Sequence, residues 1–271
     1  MQDLDAKLVL LRRIVSSLQS TVLGFSGGVD SSLLLKICLD VLGPENVVAV
    51  TCYSEILSQR ELEHALQVAQ TLGARHLIIR GTELENHLFV MNSPQRCYYC
   101  KLERYRRLLE LASEQRIRHV ADGSNYSDLE DYRPGYRALL ELGIRTPLQE
   151  ARLTKQEVRE ISFKLGLSTW NSPPESCLAS RIPYGHKITV EALRQVAEAE
   201  RVLNDAGFPF CRVRHHGTVA RIELTNQDQA RLLQHPNICD IVREIKAAGF
   251  TYVAVDLDGY RTGSLNELLD N

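Results

Sequence analysis

The stretch Val22-Leu23-Gly24-Phe25-Ser26-Gly27-Gly28-Val29-Asp30-Ser31-Ser32 decides how this chain is read. An apolar run of strand type leads into a glycine pair, and the residues after it open a helix. Glycines at 27 and 28 let the backbone take positive φ and bring N–H groups against a ligand with no Cβ in the way. The following helix aims its unpaired N–H groups and the positive end of its dipole at the same place, which suits pyrophosphate. The hydroxyls of Ser26, Ser31 and Ser32 add donors, and Asp30 is suited to hold Mg2+ against the phosphates. No Lys follows the glycines, so this is not the Gly-x-x-x-x-Gly-Lys-Ser/Thr loop around a transferable γ-phosphate. A Gly-Gly turn with a Ser/Asp cap would account for two glycines alone. The whole heptad behind a buried strand favours the phosphate cradle.

Working outward, Leu4, Leu8, Leu11, Ile14, Val15 and Leu18 recur at helical spacing over 3–19, ahead of a strand at 21–25. The helix after the loop buries Val29, Leu33, Leu34, Ile37, Val41 and Leu42, and Gly43-Pro44 stops it. A strand at 46–52, a helix at 58–72 ended by Gly73, a strand at 75–80, a helix near 97–114 and a strand at 118–121 follow. This alternation predicts an α/β fold, a doubly wound parallel sheet of Rossmann-like type. Ligands of such sheets lie outside the carboxyl ends of the strands. The glycine loop, Thr51-Cys52-Tyr53-Ser54 and Asp122-Gly123-Ser124-Asn125 all fall at that edge.

Thr154 with Glu157 three residues on is a capping box opening a helix at 154–165. Asn171-Ser172-Pro173-Pro174-Glu175-Ser176 breaks all periodicity, as a linker or an ordered active-site loop does. Beyond it come a helix at 189–205, a hairpin over 211–224 turning at Gly217, a helix at 237–248 and a strand at 251–255, which make a smaller α+β domain. The expected division is 1–175 for the nucleotide domain and 176–271 for a substrate or oligomerisation domain, with the boundary between 171 and 188. His215-His216 precede the Gly turn and read as turn residues rather than ligands.

Hydrophobic residues make up 44% of the 271 residues and charged ones 24%, enough apolar surface for a full core. The net charge of −2 leaves no basic stripe for sequence-independent nucleic-acid binding. No long uncharged apolar segment argues for a membrane span, and Met1-Gln2-Asp3-Leu4-Asp5 lacks the basic-then-apolar order of a signal peptide. A cytoplasmic protein is expected, and its seven cysteines do not read as a disulfide framework.

Cys97-Tyr98-Tyr99-Cys100 is open to three readings: a redox pair, half a zinc site, or two unconnected side chains. No second Cys-x-x-Cys or His-x-x-x-His completes a zinc site. Together with Cys177, in Glu175-Ser176-Cys177-Leu178-Ala179-Ser180-Arg181, the pair could instead hold an iron–sulfur cluster with one iron open to a sulfide. Cys38 falls on the buried face of a helix, and Cys52, Cys211 and Cys239 lie in or beside regular elements, where cysteine behaves as a small hydrophobe. Lys101 and Arg133 are cations that either meet phosphate or acyl charge or are solvated surface residues. Arg181 belongs with them, and Arg212 and Arg214 alternate on one strand face.

Residues 26–32 resemble the SGGxDS loop of the N-type (PP-loop) ATP pyrophosphatases, which split ATP between the α and β phosphates. Taken with Tyr53-Ser54-Glu55, Cys97-x-x-Cys100-Lys101, Asp122–Asn125, Asp131-Tyr132-Arg133-Pro134-Gly135 and 175–181, the chain is similar over nearly its whole length to the LarE family. The ending Asp256-Leu257-Asp258-Gly259-Tyr260-Arg261-Thr262-Gly263-Ser264 belongs to the same likeness. The resemblance implies an ATP-dependent sulfur insertase of nickel-pincer cofactor synthesis. ATP adenylates a carboxylate of pyridinium-3,5-biscarboxylic acid mononucleotide, and sulfur displaces AMP to leave a thiocarboxylate.

One branch of that family gives up the sulfur of a cysteine in the position of Cys177, leaving dehydroalanine. Another carries an extra sulfide on a 4Fe-4S cluster held by three cysteines, and Cys97, Cys100 and Cys177 make this chain similar to the second. The likeness implies ATP and Mg2+ at Gly24, Phe25, Ser26, Gly27, Gly28, Asp30, Ser31, Ser32, Tyr53, Gly123 and Arg133. Catalytic roles fall to Cys177, Lys101 and Asp30, and substrate contacts to Arg181, Arg212 and Arg214. Glu200 and Glu223 resemble acidic positions tied to metal or subunit contacts. The partners implied are the mononucleotide substrate, further copies of the chain in a homo-oligomer, a sulfide donor and a nickel-insertion protein, with neither nucleic acid nor membrane.

Other readings are an amidotransferase-like pyrophosphatase, a tRNA thiolase and a non-catalytic nucleotide or metal carrier. The first leaves the cysteines unused, and the second would need an RNA-binding module that the near-neutral charge does not offer. ATP turnover separates the enzymes from the carrier.

Overall fold

The computed structural model describes residues 4–129, 134–173 and 176–261. In chain order the elements are α1 (Leu4–Leu18), β1 (Thr21–Gly24), α2 (Val29–Leu42), β2 (Val47–Tyr53), α3 (Gln59–Thr71), β3 (Arg75–Arg80), α4 (His87–Val90), α5 (Arg96–Glu114), β4 (His119–Ala121) and α6 (Pro134–Glu141). Then follow α7 (Pro147–Glu150), α8 (Lys155–Lys164), α9 (Val190–Asp205), β5 (Arg212–His216), β6 (Val219–Glu223), α10 (Asn226–Leu233), α11 (Ile238–Ala247) and β7 (Tyr252–Val255). The chain divides into two compact units: Met1–Glu83 with Gln95–Glu175, and Leu84–Pro94 with Ser176–Asn271.

The first unit is built on a parallel sheet in the order β3-β2-β1-β4, with Thr21 opposite both Val47 and His119. Strand alternation sends Leu23, Val47 and Ala49 to one face and Val22, Val48 and Val50 to the other. The first face packs under α1, α2, α3 and α8, the second under α5 and α6, so the central strands β1 and β2 are covered on both faces, while β3 at the sheet edge, Arg75-His76-Leu77-Ile78-Ile79-Arg80, stays partly exposed. This is the doubly wound α/β arrangement that the alternation predicts. Because β2 and β4 flank β1, the chain reverses direction across the sheet between β1 and β4. That switch point opens a crevice at the strand ends, and the glycine loop leaves β1 there.

Local chemistry fixes the helix ends. Ser58 with Glu61 and Thr154 with Glu157 form complete capping boxes opening α3 and α8, and Gly43 at φ +82° stops α2. Lys7 on α1 ties down Glu157 at 2.7 Å.

In the second unit β5 and β6 pair antiparallel and β7 joins β6 in parallel. Val213, Ala220 and Ile222 face a core closed by Val202, Leu203, Phe208, Ile241 and Ile245. The hairpin turns at Gly217, φ +63°, while His215 and His216 end β5 itself instead of forming the turn. The Leu84–Pro94 segment is bound into this unit through Asn92. Its buried amide donates to the carbonyls of Ile182, Pro183 and His186 at 3.1, 2.8 and 2.9 Å.

Candidate active site

At the switch point of the first unit lies a cavity of about 280 Å3, walled by Gly24, Phe25, Ser26, Gly28, Asp30 and Ser31 from the loop. Asp122, Gly123, Ser124 and Asp128 close one side, and Val50, Cys52, Lys101, Arg104, Tyr105 and Leu108 the other. The loop is held by its own hydroxyls. Ser26 Oγ lies 3.2 Å from Ser31 Oγ and accepts from the Gly28 N–H at 3.3 Å, while Ser31 Oγ donates to the Gly28 carbonyl at 3.1 Å. Gly27 takes φ +80°, and a Cβ there would stand 2.8 Å from the Ala65 Cα on α3. Glycine is therefore required twice over, by conformation and by space. Gly28 precedes α2, whose first-turn N–H groups have no carbonyl of their own helix to bond and form an anion-attracting end at the cavity.

The opposite wall is a partly buried charge network. Lys101 Nζ donates to Asp122 Oδ2 at 3.0 Å, the same oxygen to which Tyr105 donates, and the Ser124 N–H donates to Oδ1 at 2.7 Å. Burial acts to raise Asp122, but the Lys101 charge and the bonds from Ser124, Tyr105 and Lys101 outweigh it and hold its pKa at about 2. Burial first, and then the Asp122 charge, push the Tyr105 phenol well above its ordinary range. Asp122 is thus ionised and Tyr105 is a proton donor at any working pH. Deeper in, Ser54 donates to Glu83 at 2.8 Å and Arg104 pairs with the same carboxylate. Burial acts to raise Glu83, and the Arg104 guanidinium with its hydrogen bonds brings it below the usual carboxylate range. Asp30, on the loop side, accepts from Lys155 Nζ at 2.5 Å and from Asn125 Nδ2 at 3.2 Å.

Lys101, Arg104, Tyr105 and Leu108 are spaced so that one stripe of α5 faces the cavity. Cys97 is one turn before Lys101 and Cys100 one turn before Arg104, both in the opening turns of that helix. Cys97 is exposed and Cys100 half-buried. The Arg104 guanidinium lies within electrostatic reach of Cys100 and Cys52. Burial pushes the Cys38 and Cys211 thiols up to about 12, as suits inert core residues.

Cys177 belongs to the second unit and is half-buried. Arg181 fastens its loop: Nη1 donates to the Ser176 and Cys177 carbonyls at 2.5 and 3.1 Å, and Nε and Nη2 grip Glu200 at 2.9 and 3.0 Å. Arg214 donates to the Ser180 carbonyl at 2.8 Å and to Glu223 at 2.7 Å. Both guanidinium groups are buried. Arg212 is half-buried, bonded to the Cys211 carbonyl at 2.8 Å and set 5.6 Å from the Tyr260 ring centroid. Among the described residues, no group of three or more His, Cys, Asp or Glu side chains is gathered as a metal cage.

A family model described as NAD synthase matches residues 7–101. An uncharacterized protein of Synechocystis sp. is 42% identical over 98% of this chain and 99% of its own length. The pyridinium-3,5-bisthiocarboxylic acid mononucleotide synthase of Lactiplantibacillus plantarum is 40% identical over 99% of this chain and 97% of its own length. The chain belongs to the LarE family. An NH(3)-dependent NAD(+) synthetase of Chlorobium phaeovibrioides, by contrast, is 38% identical over only 27% of the LarE chain.

In this LarE protein the loop residues named from sequence, together with Lys101 and Gly123, meet in one cavity. Gly27 and Ser32 stand behind its wall, Ser32 Oγ donating to the Gly27 carbonyl at 3.1 Å. Tyr53 ends β2 outside the wall, its hydroxyl donating to Gln59 at 3.3 Å. Arg133 lies outside the described residues, as does part of the 131–135 motif. Tyr105, Arg104 and Lys155 are additions that the sequence does not single out, and Cys52, expected as a small hydrophobe, also lines the cavity. The helical spacing of α5 from Cys97 through Lys101 to Leu108 is the signal available for the first two.

Proposed function

We propose that this protein is an ATP-dependent sulfur insertase acting on pyridinium-3,5-biscarboxylic acid mononucleotide, as its family membership and the name of its Lactiplantibacillus relative suggest. The observation that carries the reading is the cavity itself. A glycine loop and helix N-terminus stand on one side, and a Lys101–Asp122 pair 3.0 Å apart on the other. ATP binds with its phosphates on residues 26–31. A substrate carboxylate oxygen attacks the α-phosphorus, and the bond to the β-phosphate breaks to release pyrophosphate. Backbone N–H groups of the loop and the Lys101 ammonium stabilise the charge that builds on the phosphates. Sulfur then attacks the acyl carbon, the bond to AMP breaks, and a thiocarboxylate remains.

Mg2+ is implied by ATP chemistry, and the residues fit it. Asp30 and Asp128 offer hard oxygen donors at the cavity, and Asp30 is the one proposed to hold the ion, which would neutralise phosphate charge. The 4Fe-4S proposal rests on the cysteine motif alone. Cys97, Cys100 and Cys177 are the residues that would hold the cluster, which would carry a sulfide for transfer. Cys177 is the proposed sulfur carrier. As a thiolate it would form a thioester with loss of AMP; loss of its Cα proton to a base in solution with cleavage of the Cβ–Sγ bond would then free the thiocarboxylate and leave dehydroalanine.

Pyrophosphate and AMP release, measured with and without the mononucleotide, tests the reading; no substrate-dependent pyrophosphate would overturn it. Intact mass after turnover then separates the sulfur sources. A loss equal to one hydrogen sulfide from Cys177 marks the sacrificial route. Repeated turnover with an unchanged mass, bound iron, and failure of the Cys97→Ala and Cys100→Ala variants marks a cluster.

A further inference from the structure

Lys155 begins α8 directly after the Thr154 cap. Its backbone N–H donates to Ser127 Oγ at 3.2 Å, and Glu157 closes the cap through the Thr154 N–H at 2.9 Å. From this fixed base its ammonium reaches Asp30 Oδ2 at 2.5 Å, while Asn125 Nδ2 takes Oδ1 at 3.2 Å. Both oxygens of the loop carboxylate are therefore held by groups of the chain itself. Asp30 lines the cavity; Lys155 is not among the lining residues and reaches the wall at that carboxylate.

A divalent ion on Oδ2 and an ammonium on Oδ2 exclude each other, because the two cations repel strongly at such separations. The released ammonium would remain tethered beside the phosphates, where a third charge is useful. Lysine suits this exchange, being a flexible point charge able to serve two acceptors in turn.

We propose that Lys155 is a positioning residue that occupies Asp30 while the site is empty and passes to the nucleotide phosphates when Mg2+ takes Asp30. The proposal rests on the nucleotide reading above. It gives Lys155 opposite effects on two ligands: it competes with free Mg2+ and attracts metal-free ATP. A residue that only braced the fold would weaken both together.

The test is calorimetric titration of the full chain with MgCl2 alone and with ATP in EDTA. For Lys155→Met the Mg2+ dissociation constant should fall about fivefold and that of metal-free ATP should rise about fivefold. Lys155→Arg should bring both back toward wild type. In an Asp30→Asn background, Lys155→Met should no longer tighten Mg2+ binding. Unchanged constants, or a parallel loss for both ligands, would overturn the proposal. Should Lys155→Met not fold, Lys155→Gln carries the same two titrations. A wild-type chain binding neither ligand would overturn the nucleotide reading, and this proposal with it. Wild-type binding of both without the opposed shifts overturns this proposal alone.

Discussion

Lys101 and Asp122 face each other at 3.0 Å across the switch point of the sheet, and Tyr105 bonds to the same carboxylate oxygen. The pair joins a helix to a strand end and sets a positive charge across the cavity from the glycine loop. Asp122 holds Lys101 in place, its oxygens accepting from Lys101, Tyr105 and Ser124.

The lowered pKa of Asp122 is therefore a contribution to stability. Its pKa of about 2 in the folded chain lies below the ordinary 3.8, so the stabilisation is complete above pH 4 and fades as pH falls toward 2. The size is about 2 kcal/mol. In Asp122→Asn, urea unfolding at pH 7 should show that loss. The gap to wild type should close between pH 4 and 2. A gap independent of pH would refute the assignment.

Gly27→Ala should damage both fold and loop. Positive φ costs an alanine about 1 kcal/mol, and the Ala65 backbone 2.8 Å away leaves the methyl nowhere to go. A drop of at least 2 kcal/mol in unfolding free energy is expected, roughly twice the conformational cost alone. At Gly123 the added Cβ would stand 3.1 Å from the Ser31 backbone. Gly123→Ala should be milder in stability and show itself as weaker ATP binding by fluorescence or calorimetry.

Arg181→Met leaves Glu200 buried without its guanidinium and unpins the loop that bears Cys177. Loss of one partner of such a buried pair costs about 3–5 kcal/mol. Denaturant unfolding should show this, and iodoacetamide should label Cys177 faster than in wild type. Adding Glu200→Gln should recover much of the stability but not the slow labelling, because the loop carbonyls remain without their donor.

These sites differ in how far sequence could reveal them. The strand–loop–helix at 22–32 was legible because each of its requirements is local: an apolar run, positive φ, a helix start. The Asp122–Asn125 turn followed from strand alternation. Asp30 stands out in sequence as an acid in the glycine loop, but Lys155 and Asn125, which hold it, lie 125 and 95 residues away, and no periodicity links them. From sequence Arg181 is either an anion clamp or a surface residue, and Arg214 shares a strand face with Arg212; neither reading finds the partner that buries it. The buried Glu200 and Glu223 that engage them come from other elements. The short helices α4, α6, α7 and α10 also escaped, being too brief to repeat an apolar spacing.

The Leu84–Pro94 segment has a practical implication for anyone wishing to dissect this protein. Cutting the gene once near codon 175 would yield a fragment in which Asn92 has lost the three carbonyls that its amide donates to, all of which follow the cut. A usable split would have to excise that segment from the first fragment, bridge the gap with a linker, and graft it ahead of Ser176 in the second.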